Sequence, residues 1–158
     1  METALPNIES IQFTFTKRPE PVPGDFRPRW KIAVIILSLH YCGRGPSGKS
    51  SINKLKVLSW ASRDLDSQQA LIRFLNDSPQ PDDILLRHEP ALVRALNLCA
   101  GLGLVQRNAE VISLSDTGLI LIKDIIEIPD LLMREKKFLS SIAKQLTEEK
   151  TKILTEPQ

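Results

Sequence analysis

The stretch from Glu89 to Ile126, EPALVRALNLCAGLGLVQRNAEVISLSDTGLILIKDII, constrains the fold more than any other part of the chain. Pro90 suits the first turn of a helix, where its fixed backbone angle fits and its missing N–H is not needed. That helix runs through Leu92, Leu96 and Cys99, and Gly101 and Gly103 end it. LVQR and VISL then read as short strands around the tight turn NAE. Ser115 caps a further helix, with Leu119, Ile122 and Ile126 on its buried side. Helix, glycine break, two-stranded wing and capped helix, in this order, predict a winged helix-turn-helix. The fold class is mainly α (α+β).

The flanking sequence extends this unit on both sides. IQFTFTK alternates strictly, with Ile11, Phe13 and Phe15 on one face, which predicts a half-buried strand. The proline-rich RPEPVPGDFRP follows it in place of a hairpin partner, so the strand pairs with something distant, in this chain or another. From Trp30 to Tyr41 the apolar residues are almost continuous and periodicity cannot separate helix from strand; length and polar ends favour a buried helix. Ile52, Leu55, Leu58 (or Val57) and Trp60 (or Ala61) recur at helical steps with lysines between them. SQQALIRFLND gives a short helix with Leu71, Phe74 and Leu75 apolar, and SPQPDD a loop. Pro129 and Asp130 open a last amphipathic helix, running from Leu131 to about Lys152. The expected division is an arm over 1–26, a winged-helix domain over 27–128, and a C-terminal helix and tail over 129–158. Trp30, Ile36, Leu55, Leu58, Leu92, Leu96 and Leu119 are expected in one core.

GRGPSGKS, residues 43–50, satisfies the pattern of a phosphate-binding loop. Such a loop needs a central parallel strand before it and a second strand ending in an acid for the magnesium. The candidate acid, Asp124, lies in the helix after the wing, and nothing after Ser50 alternates strand with helix. The segment is therefore read as an inter-helix turn, with Lys49 and Ser50 beginning the next helix. His40 and His88 stand far apart without cysteine spacing, so no zinc site is readable. Asp82 and Asp83 are adjacent and read as a solvated loop. No catalytic, cofactor-binding or metal-binding residue is assigned, and a small-molecule substrate is not expected.

A hydrophobic content of 42% with 25% charged residues belongs to a globular chain. The formal net charge of +2 is too small to imply nucleic acid by itself. Cys42 and Cys99 sit in apolar stretches and read as buried free thiols, with a bridge as the minor alternative. METALPNIES carries acid and proline where a signal peptide needs basic and apolar residues, and IAVIILSL is too short to span a membrane. The expectation is a soluble, cytoplasmic protein.

A winged helix reads DNA through the helix before the wing, with cations at the wing tip. Here the outer side of that helix carries Ala91, Val93, Arg94, Asn97 and Leu98, so only Arg94 and Asn97 could reach bases, and the wing adds Arg107 alone. Those three are the candidate DNA contacts. Val93 and Leu98 suit protein contact better, since exposed apolar residues commonly mark interfaces. Arg27, Arg29 and Lys31, and Lys49, Lys54 and Lys56, read as solvated helix faces. Leu131, Leu132, Phe138 and Ile142 head an apolar stripe on the last helix that must cover this domain or a neighbour. Together with Ile11, Phe13 and Phe15 they complete the candidate partner-binding set.

RPRWKIAVIILSLHYCGRGPSGKSSINKLKVLSWASR and RHEPALVRALNLCAGLGLVQ, followed by the wing and LSDTG, resemble the small middle components of ABC-three-component systems of the Lamassu type. These are bacterial anti-phage defence systems built around an SMC-like ABC ATPase. The carrying residues are Lys54, Leu55, Leu58, Trp60 and Ala61, then the Pro90 helix; Glu89 stands where Asp is expected, which is harmless to a cap. The resemblance covers about residues 27 to 128. It implies a non-enzymatic subunit that links the ATPase to an effector, often a nuclease, with ATP belonging to the partner and DNA reached through the complex. A winged-helix DNA-binding regulator is the alternative, and a small nucleotide-binding protein the third.

Overall fold

A computed structural model of the chain describes residues 27–76, 84 and 86–156. Seven helices and three short strands follow in the order α1 (Pro28–Cys42), β1 (Ser50–Ser51), α2 (Ile52–Ala61), α3 (Leu65–Asn76), α4 (Pro90–Gly101), β2 (Val105–Asn108), β3 (Val111–Leu114), α5 (Asp116–Glu127), α6 (Met133–Ile142) and α7 (Glu148–Thr155). The architecture is mainly helical with one small antiparallel sheet, as the composition of the segments predicts. The expected strand of Ile11, Phe13 and Phe15 and the loop of Asp82 and Asp83 lie outside the described residues.

The run that periodicity could not resolve is helix α1. Val34, Ile35, Ile36, Leu37, Ser38 and Leu39 are six consecutive buried residues, so this helix is enclosed on every side. It packs against α2, α4 and α6. An apolar stripe is absent from its sequence because there is no solvent face to leave polar.

The strands pair in the order β1-β3-β2, all antiparallel. Val105 lies opposite Leu114 and Arg107 opposite Ile112, which turns Val105, Ile112 and Leu114 toward the helices. The third strand, β1, comes from the GRGPSGKS segment and pairs Ser50 with Ile112 and Ser51 with Val111. This corrects the expectation that Lys49 and Ser50 begin a helix. The helix starts only at Ile52, and the Ser51 side chain caps it by accepting from the Lys54 N–H at 3.1 Å.

Ser115 caps α5 as expected, its side chain accepting from the Gly118 N–H. The buried face of α5 is Gly118, Ile122 and Ile125, with Leu119 partly buried against the core. Ile126 is 39% exposed, a one-residue shift from the expected phase. Gly118 sits against the turn before β2: a Cβ there would stand 2.1 Å from the Leu104 carbonyl oxygen.

The last helix is two helices. Thr147 caps α7 by accepting from the Lys150 N–H, and Glu148 and Glu149 in the first turn favour a fresh start there. Before it, Gln145 and Leu146 both donate their N–H to the Ile142 carbonyl, which closes α6. Helix α6 packs on α1 and α7 on α2. Phe138, Leu139, Ile142, Leu146 and Leu154 belong to the same core cluster as Ile36, Leu55, Leu58, Leu92 and Leu96. Residues 27–128 and the C-terminal helices therefore share one core, and the expected boundary at 128/129 does not divide it. Trp30, placed in the core by the sequence reading, is only partly buried; its indole donates to Glu135 Oε1 at 3.0 Å.

Two measurements check this packing. Leu55→Ala and Leu96→Ala each remove a buried side chain and are expected to cost roughly 2–5 kcal/mol in chemical denaturation. Gly118→Ala is the sharper test. Helix propensity alone would raise stability by about 1 kcal/mol, but the contact with the Leu104 carbonyl must reverse the sign and lower the melting temperature. A rise would show that α5 can slide away from β2.

Candidate interaction surface

The exposed side of α4 follows the sequence reading residue by residue. Leu92, Ala95, Leu96 and Cys99 face the core, while Ala91, Val93, Arg94, Asn97 and Leu98 are exposed. Val93 is 42% and Leu98 46% exposed. Leu102, just past the helix, is more exposed than either at 62%. Its place four residues after Leu98 was the signal that could have added it to the set. Arg94 and Asn97 share this outer side, and Arg107 lies on β2 near the hairpin tip, where its Nε donates to the Ala109 carbonyl at 3.3 Å. One helix face thus offers two aliphatic side chains, one cation and one amide.

The other expected contacts fall differently. Phe138 and Ile142 are buried at 5% and 2% exposure, so the stripe they head covers this chain's own α1. Leu132 is half-buried against the core and Leu131 is 40% exposed; both precede α6 rather than start it. Ile128 and Leu131 in the α5–α6 connection and Met133 at the start of α6 leave apolar surface.

The two basic clusters divide: Arg27, Arg29, Lys49 and Lys56 are exposed as expected, while Lys31 and Lys54 are buried. Lys31 is 2% exposed and its Nζ is paired with the Glu89 carboxylate and donates to Ser59 Oγ at 3.1 Å. Its ammonium also stands 5.4 Å from the centre of the Trp30 ring. Glu89 consequently makes no side-chain cap on α4, although it occupies the cap position. Lys54, 5% exposed, donates to the Cys42 carbonyl at 2.8 Å and so satisfies the end of α1. Burial pulls its ammonium below the usual lysine range, opposed in part by the Glu148 carboxylate. Lys136 donates to the Ile125 and Ile128 carbonyls at 2.6 and 2.7 Å, and Lys150 to Leu75 at 3.5 Å.

Residues 43–50 form a tight antiparallel turn. The N–H groups of Arg44 and Lys49 donate to each other's carbonyls at 2.8 Å, that of Gly43 to Leu39 and that of Gly48 to Gly45. Four amides that a phosphate nest would point at its anion are thus already spent on the chain itself. Gly48 has φ +61°, and a Cβ on it would stand 2.2 Å from the Leu39 carbonyl oxygen. Gly43 and Gly48 let the hairpin touch the end of α1. Lys49 emerges exposed beside Gln106, Asn108, Val111 and Ser113 on the outer face of the sheet.

Cys42 and Cys99 are free and buried, and burial pushes both thiols up to about 11. Such thiols are protonated and unreactive at neutral pH. His40 is held below the ordinary imidazole range by partial burial and packs edge-on against Tyr41 at 4.8 Å. Among the described residues no three His, Cys, Asp or Glu side chains converge on a metal-sized site, and no helix is long and apolar enough to cross a membrane.

The turn geometry predicts that Lys49→Ala leaves the melting temperature within about 1 °C, as expected of an exposed surface position. ATP titration by calorimetry should give the same trace for both proteins; tight binding lost in the variant would overturn the structural reading of the motif. Comparison with family models, with curated proteins and with solved structures gives no match to this chain.

Proposed function

We propose that this chain is a winged-helix adaptor: a non-enzymatic subunit that binds an SMC-like ABC ATPase and links it to an effector in bacterial antiviral defence. The observation that carries the reading is the outer face of α4. It stands before an antiparallel hairpin whose third strand comes from the α1–α2 connection, in the order β1-β3-β2. In a winged helix this is the face that meets the partner. Its content here is Val93 and Leu98, with Leu102 beyond them, around a single arginine. Aliphatic side chains left on a surface that could have been polar favour a protein partner. The defence setting, the ATPase and the effector come from the sequence resemblance alone.

The second reading, a DNA-binding regulator, draws on Arg94 and Asn97 being exposed together and on Arg107 at the wing. Three such groups are sparse for a phosphate track. The internal use of Lys31, Lys54, Lys136 and Lys150 thins the available cations further.

Co-expression with the coiled-coil ATPase distinguishes the two. The wild-type chain is expected to co-elute with the ATPase on size exclusion, and Val93→Glu with Leu98→Glu to weaken that association by more than about tenfold. Circular dichroism should remain unchanged, because both positions are on the surface. Salt-sensitive retention of duplex DNA by the isolated chain, lost on Arg94→Ala, with no ATPase association, would replace the adaptor by the regulator.

A further inference from the structure

Among the described residues the small sheet ends on an open edge. Its order is β1-β3-β2, so β2 has β3 on one side and no described strand on the other. The register shows which backbone groups that edge presents. Ser115 donates its N–H to the Leu104 carbonyl at 3.0 Å, which makes 104 and 115 a hydrogen-bonded pair. Such pairs alternate along an antiparallel ladder, so Gln106–Ser113 and Asn108–Val111 are hydrogen-bonded, and Val105–Leu114 and Arg107–Ile112 are not. The far side of β3 agrees, because the Leu114 N–H turns away from β2 to the Ser47 carbonyl at 2.7 Å. Val105 and Arg107 therefore direct their N–H and C=O groups outward, and among the described residues nothing pairs with them. Val105 is only 6% exposed, so water is a poor partner for its groups.

The chain itself carries a segment suited to this edge. Ile11, Phe13 and Phe15 alternate with Gln12, Thr14 and Thr16, and the neighbouring sequence offers no hairpin partner. Side chains of an added strand continue the two faces of a sheet. On the side of α4 stands Leu102, 62% exposed in the turn that leads into β2, which an apolar face covers. On the outer side stand Gln106 and Asn108, which match a polar face. Reach permits the pairing within one molecule. The start of α1 is tied to the start of α4 through Lys31 and Glu89, and its end touches the hairpin that leads into β1. The sheet thus stands roughly one α1 length from Arg27, about 22 Å for 15 residues at 1.5 Å each. Residues 18–26, when extended, span about 30 Å at ~3.3 Å each.

We infer that the segment of residues 11–17 adds to β2 of its own chain as a fourth strand. It bonds the outward groups of Val105 and Arg107 and lays Ile11, Phe13 and Phe15 toward Leu102. The arm thereby closes a sheet edge that is otherwise open to pairing with other chains. The inference stands whether or not the chain binds an ATPase.

The test is amide hydrogen exchange by NMR on the full chain. The Arg107 amide is expected to exchange at least about tenfold more slowly in the wild type than in the variant carrying Phe13→Asp with Phe15→Asp. The Gln106 amide, bonded to β3, should exchange alike in both. Nuclear Overhauser contacts between residues 11–17 and residues 105–107 should appear in the wild-type monomer. If the double variant misfolds by circular dichroism, Thr14→Pro replaces it; it removes a strand N–H and is expected to speed Arg107 exchange several-fold. Fast exchange of the Arg107 amide in the wild type, or slow exchange that neither variant alters, overturns the inference. Contacts that appear only between differently labelled molecules of a dimer assign the strand to a second copy and overturn the choice of occupant.

Discussion

Everything in this fold is arranged around one helix whose middle has no access to water. The middle of α1 is buried on every side, so the polar groups enclosed with it are satisfied from within the chain. At its start, Lys31 is enclosed and must be paired, and Glu89 and Ser59 meet it from two other parts of the chain. At its end, Lys54 reaches the Cys42 carbonyl, while the hairpin of residues 43–50 lays the Gly43 N–H on the Leu39 carbonyl. The positions of α2 and α4 and of the β1 strand are thus fixed by the needs of α1. Removing one partner of the Lys31 pair would leave a charge stranded in the interior, which costs far more than a surface pair contributes.

A second regularity follows from the same constraint. Three helices end on carbonyls that receive a lysine from a later helix: α1 from Lys54, α5 from Lys136 and α3 from Lys150. Ammonium groups complement the negative end of a helix dipole, so each contact serves geometry and electrostatics together. It also removes Lys54 from the basic surface that its neighbours Lys49 and Lys56 present.

Legibility in the sequence depended on whether a segment's partners are local. The phase of α4 was readable to the residue because apolar and polar positions alternate at helical spacing, and Ser115 marked the start of α5 because capping needs only three neighbours. The environment of α1 was not readable, since an all-apolar run carries no phase, and Lys31 looked like a surface cation because Glu89 lies 58 residues away. The break between α6 and α7 was missed because Leu139, Ile142 and Leu146 continue the apolar stripe across it, which hid the cap at Thr147. Of the candidate surfaces, the α4 face could be drawn from one amphipathic helix. The open edge of β2 could not, because which of its groups point outward depends on its register with β3.

The lysine contacts have a direction along the chain, and that direction matters while the protein is being made. In each case the helix whose end is satisfied comes earlier, and the lysine that satisfies it comes later. Helices α3 and α5 are synthesised before Lys150 and Lys136. Until α6 and α7 dock, those carbonyls lack their lysines and the faces of α1 and α2 that the two helices cover stay open. Docking of α6 and α7 is what seals this core, so its completion waits on segments that follow the hairpin.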